Sequence, residues 1–231
     1  QVNHGRSDPS GLMSAADYDP GSGTAFRPDF WSFSFDAFEL INDRGVNEWA
    51  GPRADWFSWL NLGQIRLPTG VSDSHGRSTP CGYGRTDVYV GADSAADSTV
   101  DDVLEALRAG HVVVGGVLTL RATGPGGALP GDTVTGSTIA FDIDVRGPSW
   151  VSADVLRVYR NGVVVEERPV DGSWSGVLSF DETTDAWYAI EAQGDDAVGG
   201  PWGGAVPYAI TNAFFVDVDG DGWDAPGLAM P

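Results

Sequence analysis

Lysine is absent from this chain of 231 residues: all thirteen basic residues are arginine. Its absence excludes a phosphate-loop lysine, a Schiff base and a Ser–Lys dyad. Cysteine is nearly absent too. Cys81 stands alone, so neither an internal disulfide nor a Zn–Cys site can form. The three histidines, His4, His75 and His111, leave little room for a catalytic triad, and no G-x-S-x-G elbow accompanies them. No apolar run approaches the ~20 residues of a membrane span, and no signal peptide is recognisable. Positive charge is scarce, and the formal charge of −20 argues against nucleic acid or an anionic membrane as partner. The chain opens at Gln1 without methionine, and Val2-Asn3-His4 reads as the end of a strand. A piece of a longer protein is expected.

What is present is apolar and aromatic enough, at 42% and 11%, for an ordered core. After His4, residues 1–30 read as a long Gly/Ser/Pro/Asp-rich loop. Phe33 to Asn42 reads as a buried strand. In 53–63, Trp56, Phe57, Trp59 and Leu60 share a helical side, and Gly63 can supply a left-handed cap. Ile65 to Thr69 and Thr86 to Val90 read as strands. Ser98-Thr99 can cap a helix that carries Asp101 and Asp102 in its first turn, Arg108 in its last and Gly110 beyond it. This alternation predicts an α/β arrangement with parallel strands.

After His111 the style changes. Ile139, Phe141, Ile143 and Val145 alternate with Ala140, Asp142, Asp144 and Arg146, the period of a half-buried strand. Asn161-Gly162 between two apolar runs is a strong hairpin signal, because both residues tolerate positive φ. Val177–Phe180, Ala186–Ala192 and Ala209–Val216 continue the series, which predicts an antiparallel β-sandwich. Trp150, Trp174, Trp187 and Trp202 fall in this region, with core packing expected ahead of a sugar-binding platform.

Asp73 and His75 form a D-x-H pair at the end of an apolar strand. Residues two apart in extended backbone point the same way, so carboxylate and imidazole can meet one cation or simply pair at the surface. The run Asp217-Val-Asp219-Gly-Asp221-Gly222 copies the start of a calcium loop, although Leu228 stands where the bidentate Glu is needed. Asn42 can line a site mouth or cap its loop. Arg85 can fork onto an anionic substrate or form a structural ion pair. His111 reads as a helix C-terminal residue facing the dipole.

The string LPTGVSDSHG resembles the closing metal motif of the PHP superfamily of phosphoesterases. Further segments resemble its CehA/McbA-type branch, which includes carbaryl hydrolase: VNH at 2–4, FDAFELIN at 35–42, DWFSWLNLG at 55–63, GYGRTDVYV at 82–90, LEALRAGHVVV at 104–114, VYRNG at 158–162 and AITNAFFVDVDGDG at 209–222. This resemblance implies the C-terminal part of a β/α barrel over 1–114, a β-sandwich (Ig-like) domain over 115–216 and an acidic tail over 217–231. It also implies that His4, Asp73 and His75 bind a divalent metal (Zn, Mn or Fe) that activates water against a small-molecule phosphoester, carboxyl ester or carbamate. Gly5 stands where the family usually has proline. The family's opening HxH motif has no counterpart here, so catalysis would need the first half of the barrel as partner. Such enzymes are often exported, which implies a periplasmic or secreted place. The rival expectations are a non-catalytic extracellular β-sandwich binding glycan or protein, and a domain stabilised by Ca²⁺ at Asp217, Asp219 and Asp221.

Overall fold

The computed structural model describes residues 1–7, 9–42, 46–76, 81–195, 198 and 204–228. Within them lie helices α1 (Leu12–Ala16), α2 (Val46–Asn61) and α3 (Val100–Ala109). Strands β1 (Tyr18–Asp19), β2 (Thr24–Ala25), β3 (Ala37–Asn42), β4 (Leu67–Val71) and β5 (Arg85–Val88) belong to the first half. The second half contributes β6 (Val112–Gly116), β7 (Thr119–Thr123), β8 (Thr133–Thr135), β9 (Thr138–Arg146) and β10 (Val155–Arg160). It continues with β11 (Val163–Pro169), β12 (Trp174–Asp181), β13 (Ala186–Gln193), β14 (Tyr208–Thr211) and β15 (Phe214–Asp217). No described helix is long and apolar enough to cross a membrane.

An eight-stranded sheet is the centre of the molecule. Its main path runs β11-β10-β13-β14-β6-β5, while β15 pairs with β13 and, in parallel, with β8. A three-stranded sheet, β12-β9-β7, packs on one face. There Ile139, Phe141, Ile143 and Val145 of β9 are buried against Leu156, Val158, Tyr188 and Ile190, as the two-residue period requires. The hairpin joining β10 to β11 turns at Asn161 (φ 51°) and Gly162 (φ 87°), the left-handed pair of a type I′ turn.

The opposite face of the large sheet is covered as well. Tyr159, Trp187, Ala189, Tyr208 and Phe215 meet Trp56, Phe57, Trp59 and Leu60 of α2 and Phe38 and Leu40 of β3. Alternate residues of β13 therefore enter two different cores, which is why nearly the whole strand is buried. α2 is enclosed on several sides, so its polar residues need partners inside the protein. Asp55 accepts the Arg6 guanidinium, and Ser58 shares a 2.9 Å hydrogen bond with the Tyr18 hydroxyl. Arg53 pairs with the fully buried Glu191, which also accepts the hydroxyls of Tyr159 at 3.1 Å and Tyr208 at 3.2 Å. The expected cap of α3 is present: Thr99 and Asp102 bond reciprocally at 2.7 and 3.2 Å, and Gly110 closes the helix at φ 80°. Residues 1–30 hold α1 and the β1–β2 pair in place of a bare loop, elements too short to leave a periodic signal.

The β/α barrel expected over 1–114 is corrected here. No barrel closes among the described residues. Among the described residues, parallel pairing is limited to β3 with β4, β8 with β15, and the isolated bridges of Val2 with Phe38 and Val117 with Tyr208. β5 and β6 pair antiparallel, and β6 joins β14 in the large sheet. The physical reason is that a strand–helix–strand pattern does not fix strand direction. The run Val112-Val113-Val114 also looks alike as a barrel strand and as a central strand covered on both faces. Position 114 lies inside β6, and Gly70 of β4 touches β5 so closely that a Cβ there would fall 2.4 Å from the Arg85 carbonyl oxygen. Parallel segment and sandwich are thus packed against each other.

Candidate metal centre

β15 ends at Asp217, and the chain turns sharply through Gly220 (φ 83°) and Gly222 (φ 114°). The turn is held by its own carboxylates. Asp217 Oδ1 accepts the Gly220 N–H at 2.8 Å, its Oδ2 accepts Gly222 N–H at 3.2 Å, and Asp219 Oδ1 accepts Asp221 N–H at 3.3 Å. Asp185, in the turn between β12 and β13, completes the arrangement. Its two oxygens accept the N–H groups of Val218 at 2.9 Å and Asp224 at 2.7 Å, fastening the C-terminal segment to the sheet.

One oxygen from each of Asp185, Asp217 and Asp219 lies within 4.8 Å of the others. Asp217 is buried, Asp185 half-buried and Asp219 exposed. No arginine pairs with any of the three among the described residues; nearby Arg160 is committed to Glu182. Asp221 stands beside them, and the hydrogen bond and negative charge of Asp219 raise its carboxyl above the ordinary carboxylate range. A carboxylate oxygen that accepts one N–H keeps a lone pair for a cation. Three converging, unneutralised carboxylates therefore fit a divalent metal, and an all-oxygen set suits a hard ion over one that prefers nitrogen or sulfur. The group borders an open cleft of about 800 Å³ between the Asn161 hairpin and the C-terminal segment.

Two of the three acidic residues expected to hold calcium, Asp217 and Asp219, are in this trio; Asp221 is not. Sequence reading missed Asp185. The acidic turn DETTD at 181–185 was a signal, but no spacing rule links it to a loop so far along the chain.

The other expected ligands lie elsewhere. Asp73 and His75 follow β4, with the His75 ring nitrogen Nδ1 2.6 Å from the Asp73 carbonyl and 3.6 Å from its carboxylate. His4 follows Val2 on the far side of β3, so the two strand ends stand roughly 10 Å apart, two strand spacings. His4, Asp73 and His75 form no converging trio among the described residues. His4 (φ 51°) and Asp73 (φ 45°) share a left-handed backbone. Asn42 donates to Glu39 at 3.1 Å and lines a small cleft with His4. Arg85 donates to Asp87 at 3.0 Å and to the Leu118 carbonyl at 2.7 Å, and His111 shares a 2.9 Å hydrogen bond with Asp132. Among the tryptophans, Trp187 is core, Trp174 lies under Arg168, Trp150 is exposed, and Trp202 lies outside the described residues.

No protein-family model matches the chain, and the comparison with curated proteins returns no match. Among solved structures, the chain is similar to a CARDB domain from Pyrococcus furiosus. Its solution NMR structure matches at 19% identity over 44% of this chain and 94% of that one, with a TM-score of 0.30. A crystal structure of that domain in complex with di-metal ions matches at 18% identity over 44% of this chain and 86% of that one, with a TM-score of 0.29. An engineered protein matches at 12% identity over 84% of this chain and 51% of that one, with a TM-score of 0.28. The expected membership of the PHP superfamily is thereby corrected: the likeness found is weak, partial and to a CARDB-type β-sandwich domain, and it does not back the metallohydrolase and phosphoesterase activities that rested on the resemblance.

Proposed function

We propose that this chain is a non-catalytic β-sandwich binding module whose C-terminal segment is locked by Ca²⁺ held between Asp185, Asp217 and Asp219. The observation that carries the reading is the convergence of three carboxylates from two distant turns within 4.8 Å. Calcium takes about 6–8 oxygen ligands, more than one oxygen from each of three carboxylates supplies. Places remain for water, or for paired hydroxyls of a glycan lying in the cleft that the trio borders.

Calorimetric titration of the chain with CaCl₂ tests the first part, with Asp185→Asn as the informative variant because it leaves the carboxylates of the Asp217–Gly222 turn and their own hydrogen bonds in place. Saturable heat in the natural chain, lost in the variant, supports the reading. Equal heats in both, or none in either, end it. A glycan array probed with Ca²⁺ and again with EDTA tests the second part; retention that ignores EDTA would place glycan recognition elsewhere.

A further inference from the structure

At the C-terminal end of β3 lies a second cleft, of about 380 Å³, lined in part by His4, Arg6, Ser7, Glu39, Asn42 and Pro52. Its distinctive member is Glu39, a carboxylate only 5% exposed. Oε2 is fully engaged, accepting the His4 backbone N–H at 2.7 Å and the Asn42 amide at 3.1 Å. Those two bonds fix the carboxylate in place. Among the described residues Oε1 receives no hydrogen bond, and it keeps some contact with solvent. It therefore opens into the cleft.

Arg6 also lines the cleft, but its guanidinium forks onto Asp55 and donates to the Tyr18 carbonyl at 2.9 Å. Among the described residues that line the cleft, Arg6 is thus taken up by Asp55, and Glu39 offers the carboxylate oxygen that still has room for a donor. Among the described residues no trio of His, Cys, Asp or Glu ligands converges here, whereas a single ammonium or guanidinium group satisfies one carboxylate oxygen by a charge-assisted hydrogen bond.

We infer that this cleft is a binding site for a small organic cation, a primary ammonium or guanidinium compound, with Glu39 Oε1 as its anchor and the His4 imidazole at its lip. The site is separate from the Asp185 trio and independent of calcium.

The test is an NMR titration of the ¹⁵N-labelled chain with n-butylammonium chloride, and with n-butanol as the uncharged control. The backbone N–H of His4 and the side-chain amide of Asn42 are the reporters. Saturable shifts at both with butylammonium, and none with butanol, are expected. Glu39→Gln keeps an acceptor for His4 but removes the charge, and is expected to weaken binding roughly tenfold or more. Should that variant fail to fold, Ser7→Trp at the exposed rim blocks the mouth without touching Glu39, and is expected to abolish the shifts. Equal shifts with butanol, no shifts with butylammonium, or affinity unchanged by either substitution would overturn the inference.

Discussion

Asn61 Oδ1 accepts the indole N–H of Trp187 at 2.7 Å, joining the last residue of α2 to β13 across 126 positions of chain. Both side chains are buried, and the indole also packs on Phe57 at 4.9 Å between ring centroids. The Asn61 side-chain amide donates onward to the Asn161 carbonyl at 3.2 Å, and the Asn61 backbone carbonyl accepts Gly227 N–H at 2.9 Å. Helix, hairpin and C-terminal segment therefore meet at one residue.

Asn61→Ala is expected to lower stability by about 2–3 kcal/mol, because it strands a buried indole N–H as well as removing a bond. Urea melts followed by far-UV circular dichroism would measure it. A loss under about half a kcal/mol would mean that water replaces the amide.

The raised carboxyl of Asp221 predicts proton release on cation binding. In the metal-free chain the hydrogen bond and negative charge of Asp219 raise the affinity of the Asp221 carboxyl for its proton. A cation at the neighbouring trio offsets the negative charge and lowers the affinity for the proton. Adding CaCl₂ to weakly buffered, mildly acidic protein should acidify the solution, and Asp221→Asn should reduce the effect. A pH trace that does not move with saturating calcium would contradict this.

Asp55 gives a pH dependence of opposite sense to the usual carboxylate. Burial pushes its carboxyl up to about 6 from 3.8, despite the hydrogen bond and charge of Arg6 that pull it down. The folded state thus holds the proton more tightly than the unfolded chain. Its contribution is fully present below pH 3.8 and is lost as pH rises through about 6. The whole shift corresponds to about 3 kcal/mol at most. Self-repulsion of a chain carrying −20 acts in the same direction. Melting temperature should fall across that window, and Asp55→Asn should flatten the slope while lowering the plateau through loss of the Arg6 pair. A slope identical in the variant would assign the effect to other groups.

Val117 sits at φ 71°, in the left-handed region that a β-branched residue enters only under strain. It is half-buried, so little packing is lost on removing it. Val117→Gly is expected to stabilise the chain by about 1 kcal/mol, seen as a higher melting temperature.

Local chemistry was legible from sequence, and long-range partnership was not. The alternation from Ile139 to Val145, the left-handed Asn161-Gly162 pair and the Thr99 cap each depend on neighbours within a few residues, so the letters carry them. α2 was readable from Arg53 onward but begins at Val46, ahead of the aromatic cluster that marked it. Strand direction at β5 and β6 left no local trace, because apolar runs look the same in either sense. Asp185 was silent for a similar reason. A carboxylate in a turn announces a metal only when its partners are close in sequence, and Asp217 and Asp219 are brought to it by the pairing of β13 with β15.

β6 is hydrogen-bonded along both edges, to β5 on one side and β14 on the other, and its residues feed both cores. Severing the backbone between Val114 and Gly115 would thus leave neither half able to stand alone: each would expose an unsatisfied sheet edge and one wall of a shared interior. Heating should therefore melt the polypeptide in one cooperative event, with a single calorimetric peak.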